Sequence, residues 1–404
     1  MTAPKITVVG IGEDGLDGLA PATRKLVEGA DVLVGGARHL SKVSGGKKQR
    51  IDWKDGFDAA FDEMAKKTGK QVVVLASGDP LNFGVGKNVI ARFGVDAVTV
   101  LPAPGAFSLA AARMGWPLAD VECLTVHGRD LETINLYLVP GQKIFILSWD
   151  GETPGKVAGL LTSRGFGPSK IVVLSNMGGD ETRVEATAHA WGQGACPDLN
   201  VIAINCAASP DADQAAWSRV PGLSEDAYEH DGQITKRHVR AATLARLAPM
   251  PGQVLWDVGA GSGAIGIEWL RAQPSSSAIA IERDKGRCKV IARNAGNLGV
   301  PGLTIIEGAA PDVFDGLTPQ PDAVFLGGGV FVEGLLEACW KALSPGGRLV
   351  ANAVTVESQK RLLSYRNEIG GDLTRLSVAH AGPVGGLQAF TSLKDIIQLA
   401  AVKK

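Results

Sequence analysis

Residues 254–270 read VLWDVGAGSGAIGIEWL. An apolar run carries Asp257 near its end, then Gly259, Gly261 and Gly263 alternate through a turn, and a longer apolar-rich stretch follows. A buried strand that runs into a glycine turn and then a helix is the opening of a parallel α/β unit. Glycine permits positive φ and lets a backbone approach a ligand closely. The start of the following helix offers free N–H groups to whatever rests on the turn. The next strand-like run, SAIAIE (277–282), ends on Glu282, where a carboxylate can accept both hydroxyls of a ribose. A literal G-x-G-x-x-G, Gly261 to Gly266, is also present. By itself it would suit a nicotinamide or flavin site. Asp257, two residues before Gly259, and the extra glycine tilt the reading away from that.

Outward from this loop, short apolar runs alternate with amphipathic ones, the pattern of an α/β fold. Strands are expected at 253–259, 277–282, 303–308, 322–327 and 347–354, after a helix at 235–248. Beyond a helix at 356–369, LTRLSVAHA (373–381) and FTSLKDIIQLAAV (390–402) read as a closing antiparallel pair. In the first half, strands are expected at 6–11, 31–35, 71–77, 97–102, 143–148, 170–175 and 199–205. Residues 216–236 break the pattern with proline, glycine and acidic side chains, which suggests a seam. The expected organisation is a domain at 1–206, a linker at 207–233 and a Rossmann-like domain at 234–404.

Composition narrows the function. Lys+Arg number 41 against 42 Asp+Glu, and aromatic residues are only 5%. That balance argues against a surface gripping nucleic acid. Five cysteines contain no CxxC pair, so neither a zinc site nor a disulfide framework is expected, and reduced thiols suit a cytoplasmic protein. No His/Asp/Glu group has metal-ligand spacing, so no catalytic metal is expected. The amino terminus lacks a basic segment followed by an apolar one, and no apolar run reaches the roughly 18 residues that span a bilayer.

The D-x-G-x-G-x-G turn resembles motif I of class I S-adenosylmethionine (SAM) methyltransferases. HDGQITKRHVRAATLARL (230–247), IIEGAAPDVF (305–314) and DAVFLGGG (322–329) resemble the decarboxylating precorrin methyltransferases that act at C15. That resemblance covers about 230–404. It implies SAM contacts from Thr235, Gly259, Ala260, Gly261, Ser262, Gly263, Glu282 and Ala310. Relatives can carry Asp where Glu282 stands. Gly327–Gly329 occupies the place where adenine-N6 methylases carry N/D-P-P-Y, which argues against a nucleic-acid base as substrate.

The first half resembles a second methylase class. VVGIGEDGLDGLAPATRKLVEGADVLVGGARHL (8–40), ASGDPLNFGVG (76–86), LPAPGAFSLAAARMGWPL (101–118) and LSNMGGDETRVEAT (174–187) are similar to tetrapyrrole methylases over about 4–206. The GGARHL variant most resembles precorrin methylases that act at C5. Gly10-Ile-Gly12-Glu-Asp-Gly15 departs from the usual G-x-G-P-G, and Ala106-Phe107-Ser108 replaces small-Ser-Ser. The resemblance implies SAM contacts from Gly10, Gly12, Gly78, Asp79, Pro80, Gly105, Ala106, Phe107 and Ser108.

Together the two resemblances imply a bifunctional SAM-dependent methyltransferase of corrin (cobalamin) biosynthesis. It would methylate a precorrin at C5 and C15 and remove the C12 acetate carboxyl. Lys236, Arg237, His238 and Arg240 are the candidates for catalysis and for holding substrate carboxylates, with His238 as a proton donor. His39 and His380 are weighed beside it. A homo-oligomer is expected by analogy. The rival readings are an RNA or protein class I methyltransferase with an amino-terminal recognition domain, and a two-domain nicotinamide oxidoreductase.

Overall fold

A computed structural model describes residues 4–44, 48–54, 56–210, 212 and 217–404. The chain divides into two compact units, Met1–Arg129 with Val139–Ala215, and Asp130–Leu138 with Ala216–Lys404.

The first unit is built on two sheets. Strands β1 (Lys5–Ile11), β2 (Val32–Val34), β3 (Gln49–Ile51), β4 (Gln71–Ser77) and β5 (Val98–Leu101) lie in the order β3-β2-β4-β1-β5. Every pairing is parallel. Helices α1 (Pro21–Glu28), α2 (Ala37–Ser41), α3 (Phe57–Ala65) and α4 (Gly86–Phe93) lie between these strands in sequence. The central strands β1 and β4 are covered on both faces, and so Val8, Val9 and Val72 to Leu75 are buried without alternation.

The second sheet follows α5 (Ala106–Met114). Its strands are β6 (Val121–Thr125), β7 (Lys143–Leu147), β8 (Lys170–Ser175), β9 (Thr182–Thr187) and β10 (Asn200–Asn205), with α6 (Thr153–Ser163) between β7 and β8. The order is β6-β7-β10-β8-β9, and only β6–β7 is parallel. β3, β6 and β9 were not expected from sequence. All three are edge strands, and β6 and β9 have no fully buried face and therefore no apolar run to announce them.

The second unit has α7 (Arg237–Leu247), β11 (Val254–Val258), α8 (Ala264–Ala272), β12 (Ser277–Glu282), α9 (Lys285–Asn297), β13 (Thr304–Glu307) and β14 (Ala323–Leu326). It continues with α10 (Leu335–Ala342), β15 (Arg348–Ala353), α11 (Val356–Ile369), β16 (Asp372–Leu376), β17 (Ala379–Val384), β18 (Leu387–Ser392) and β19 (Ile396–Val402). Seven strands form one sheet, β13-β12-β11-β14-β15-β19-β16. It is parallel up to β15 and closes with antiparallel β19 and β16. The closing pair is therefore present. The extended stretch before β19 differs from expectation, because β17 and β18 pair with each other as a separate hairpin.

Strand order reverses between β11 and β14, so the carboxyl ends of these two strands open a crevice where α/β sheets bind ligands.

Two segments differ from the boundaries read in sequence. Within the expected linker, Leu223 and Tyr228 are buried in the core of the second unit. They are isolated apolar residues among glycine and acids, so no periodicity marks them. Residues 130–138, expected in the first domain, belong to the second unit. There Ile134, Leu136 and Leu138 are buried, and Asn135 Nδ2 donates to the Gly296 carbonyl at 2.9 Å.

Candidate active site

The second unit holds a cavity of about 800 Å³ at the carboxyl ends of β11, β12, β14 and β15. The turn after β11 supplies one wall. Gly259, Gly261 and Gly263 have φ of 71°, 60° and 78°, values that side chains beyond glycine rarely adopt. A Cβ on Gly263 would come within 2.8 Å of Ile291, so the third glycine serves helix packing; it does not line the cavity.

Glu282 is buried at the end of β12. Its Oε2 accepts from the Gly261 N–H at 2.9 Å and its Oε1 from the Asp284 N–H at 3.0 Å. Each oxygen has a further lone pair, so the carboxylate both fixes the turn and can receive hydroxyl donors. Asp257 is also buried. Its Oδ2 accepts from the Gly266 N–H at 2.9 Å, while Oδ1 has no partner. Burial pushes this carboxyl up to about 7, helped by the nearby charge of Glu282 and opposed by the Gly266 bond. Asp257 thus ties β11 to α8; it does not line the cavity.

Thr235, Gly259, Ala260, Gly261, Ser262, Glu282 and Ala310 line this one cavity, as does Lys236. Arg237 and His238 are exposed at the start of α7 and are not among the lining residues. The Arg237 N–H donates to Glu225 Oε1, and the His238 ring lies 5.5 Å from that of His380.

Arg240 must be corrected. Its side chain is fully buried, its Nε donates to Glu268 Oε1 at 2.6 Å, and its two other nitrogens donate to the Thr235 and Leu223 carbonyls. It holds the 222–236 segment against α8, and, fully buried and not among the cavity-lining residues, it does not reach a substrate there. Sequence reading took it for part of an exposed basic run because Lys236, Arg237 and Arg240 fall within five residues; burial begins at Val239, and the Glu268 carboxylate that lets Arg240 be buried lies 28 positions on.

Several lining residues were not singled out from sequence: Gln233 and Ile234, within the quoted 230–247 stretch, and Arg283, Arg287, Asn352 and Lys394, which carry no motif. Only the positions of Arg283, just after Glu282, and Asn352, near the end of a strand, could have suggested them.

The first unit brings three loops together. The Gly78 N–H donates to the Ile11 carbonyl at 3.2 Å and the Ala103 N–H to the Gly78 carbonyl at 3.1 Å. A Cβ on Gly10 would land on the Gly78 carbonyl oxygen, and one on Gly78 would come within 2.7 Å of Gly105 Cα. Gly10 and Gly78 are therefore required by backbone contact, whereas a Cβ on Gly105 would meet Asp79 only at ordinary distance. Gly12 abuts the Asp14 carboxylate; Asp79 Oδ1 accepts from the Leu81 N–H at 2.9 Å, and the Pro80 carbonyl from Gly86. Ala106 begins α5 and Ser108 is exposed on it. Phe107 is buried between Phe83 and Phe145, so its side chain is core and only its backbone can meet a ligand.

Beside these loops, His39 Nε2 shares a 2.8 Å hydrogen bond with Ser77 Oγ, and Arg38 pairs with Glu13. Burial lowers the imidazole to about 4, with the positive charges of Arg38 and Lys42 adding to the shift and Glu13 opposing it.

Comparison with known proteins agrees with this two-part layout. A family model described as tetrapyrrole (corrin/porphyrin) methylases matches residues 5–190, and one described as a precorrin methyltransferase domain matches 226–403. The precorrin-6Y C(5,15)-methyltransferase [decarboxylating] of a Sinorhizobium species is 44% identical over 100% of this chain and 97% of its own length. The chain belongs to this family. The enzyme of the same name from Mycobacterium tuberculosis is 41% identical over 99% of this chain and its own full length. The carboxyl-terminal domain of the Rhodobacter capsulatus enzyme, a crystal structure, is 41% identical over 46% of this chain and all of its own, with a TM-score of 0.44. Membership leaves the nicotinamide and RNA-directed readings without support. Among the described residues there is no cluster of metal-ligating side chains, and no helix is long and apolar enough to cross a membrane.

Proposed function

We propose that the second unit methylates a precorrin at C15 and removes the C12 acetate carboxyl, and that the first unit methylates C5, each from its own SAM. The observation that carries this is the second-unit cavity, with a glycine turn and the Glu282 carboxylate at one end. The donor set fits that ligand. Glu282 suits a ribose diol, the positive-φ glycines let the backbone approach, and the volume lies within the usual range for ligand sites.

Bound SAM supplies an electrophilic methyl group on a sulfonium. The protein's own part is placement. Glu282 and the Gly259–Gly261 turn fix one end of the cavity, and Gly327–Gly329 line the wall beside Gly259 without side chains to fill it. Lys236 and Lys394 present cations to a carboxylated substrate. Holding nucleophile and methyl in line supplies up to about 7–11 kcal/mol in favourable cases. Decarboxylation then draws on the conjugated macrocycle as electron sink, and no strong base is required of the chain.

The test is mass spectrometry of a precorrin substrate incubated with the full chain and SAM. Gain of two methyl groups and loss of one CO₂ is expected, with S-adenosylhomocysteine saturating near two per chain. A stoichiometry of one, or a single methylation without decarboxylation, rejects the reading.

A cytoplasmic location accords with five free thiols. A homo-oligomer is proposed from the β17–β18 hairpin, where Leu387 and Phe390 are 79% and 78% exposed. Light scattering is expected to give a multiple of the 42.0 kDa chain mass; a monomer rejects it.

A further inference from the structure

Below the second-unit cavity lies a polar cluster that the fold does not need. Thr243 on α7, Asn352 on β15 and Gln398 on β19 are all buried. Asn352 and Gln398 are directly opposed across the antiparallel β15–β19 pair. Gln398 Nε2 donates to Asn352 Oδ1 at 3.0 Å and to Thr243 Oγ1 at 3.1 Å. Asn352 Nδ2 donates to Thr243 Oγ1 at 2.9 Å, and Thr243 Oγ1 donates to the Val239 carbonyl at 2.8 Å. Apolar residues would fill the same space without the desolvation cost of three buried polar groups.

The network settles which way the Asn352 amide faces. The Thr243 hydroxyl proton is committed to Val239, so toward Asn352 it only accepts. Both Gln398 amide protons are committed, one to Asn352 Oδ1. Asn352 therefore has its oxygen pinned and one Nδ2–H spent, which leaves a single N–H without a protein acceptor among the described residues. Asn352 is also the one member of the trio that lines the cavity.

Its place in the sheet separates it from the cofactor end. Glu282 closes β12 and Asn352 lies near the end of β15, three strands away in the order β12-β11-β14-β15. At about 4.8 Å per strand that is roughly 14 Å. Lys394 and Lys236 line the same cavity and have no ion-pair partner among the described residues.

We propose that the free Nδ2–H of Asn352 donates to a carboxylate of the tetrapyrrole, on the side of the cavity away from Glu282, with Lys394, just before β19, as the cation of that anionic subsite. Thr243 and Gln398 are positioning residues that hold the amide in this orientation. This rests on the methyltransferase reading above and deepens it.

The test uses the full chain and a carboxylated precorrin, with C15 methylation and S-adenosylhomocysteine binding measured side by side. Asn352→Ala is expected to raise the apparent KM roughly ten- to hundredfold, the loss of one hydrogen bond to a charged group, while affinity for S-adenosylhomocysteine stays within about twofold. Asn352→Asp retains the shape and the oxygen that Gln398 needs but removes the donor and sets a like charge against the substrate carboxylate, so it raises KM at least as much and covers the case in which the alanine variant fails to fold. Thr243→Val raises KM several-fold, and Thr243→Ser restores it. An unchanged KM in either the Asn352→Asp or the Asn352→Ala enzyme overturns the proposal. So does a loss of S-adenosylhomocysteine affinity equal to the KM change, which would place Asn352 at the cofactor end. A wild-type chain that binds S-adenosylhomocysteine but methylates no precorrin overturns the underlying reading instead, and this one with it.

Discussion

Arg240→Ala is expected to unfold the second unit under mild denaturant, losing about 3–5 kcal/mol, the usual consequence of removing one partner from a buried ion pair. Glu268 would remain buried with its charge. Its Oε1 now accepts from Arg240, from the Tyr228 hydroxyl at 2.9 Å and from the Leu223 N–H at 3.1 Å, and its Oε2 from the Gly222 N–H at 2.6 Å. Without the guanidinium, the 222–236 segment also loses its ties through the Thr235 and Leu223 carbonyls. Replacing both partners, Arg240→Met with Glu268→Leu, removes the stranded charge but leaves Tyr228 and two backbone N–H groups without their acceptor. The double variant therefore remains less stable than the wild type, though better than Arg240→Ala alone. Thermal and urea unfolding curves measure this directly. An Arg240→Ala protein with wild-type stability and no C15 methylation would return Arg240 to the substrate-binding role that sequence reading gave it.

Arg240 shows where sequence reading stops. The parallel core was legible because β11, β12 and β14 are short apolar runs, and the ligand loop because its glycines need positive φ. Glu282 was legible from its place at a strand end. What failed depended on partners far away in sequence. Tyr228 and Leu223 look like linker residues until Glu268, some 40 positions on, gives their polar groups an acceptor. The 130–138 segment looks like a connection inside the first half until Leu136 is found against Gly299. Asn352 carries no motif, because its orientation is set by α7 and β19 together. Edge strands such as β9 lack the apolar face from which a strand is read.

Glu282→Ala is expected to weaken S-adenosylhomocysteine binding at the second-unit site by roughly ten- to hundredfold, and to leave the first-unit site unchanged. A hydrogen bond to a charged acceptor contributes about 1.5–3 kcal/mol. Here the carboxylate also holds the Gly261 and Asp284 N–H groups, so its loss frees the turn that shapes the cavity as well as removing the acceptor proposed for the ribose. Two further variants separate these contributions. Glu282→Gln retains one oxygen and the side-chain shape, so the turn keeps one of its bonds while the charge is lost; an intermediate loss is expected. Glu282→Asp retains the charge on a shorter stem and should bind more tightly than Glu282→Gln if charge dominates, or more weakly if reach to the Gly261 N–H dominates. Titration of the full chain then reads two classes of site, one at wild-type affinity and one weakened. Two tight sites in the alanine variant would remove Glu282 from ligand binding and take the class I methyltransferase assignment of the cavity with it. Melting curves recorded beside the titration distinguish lost affinity from lost folding, since Glu282 is buried and its removal strands the Gly261 and Asp284 N–H groups.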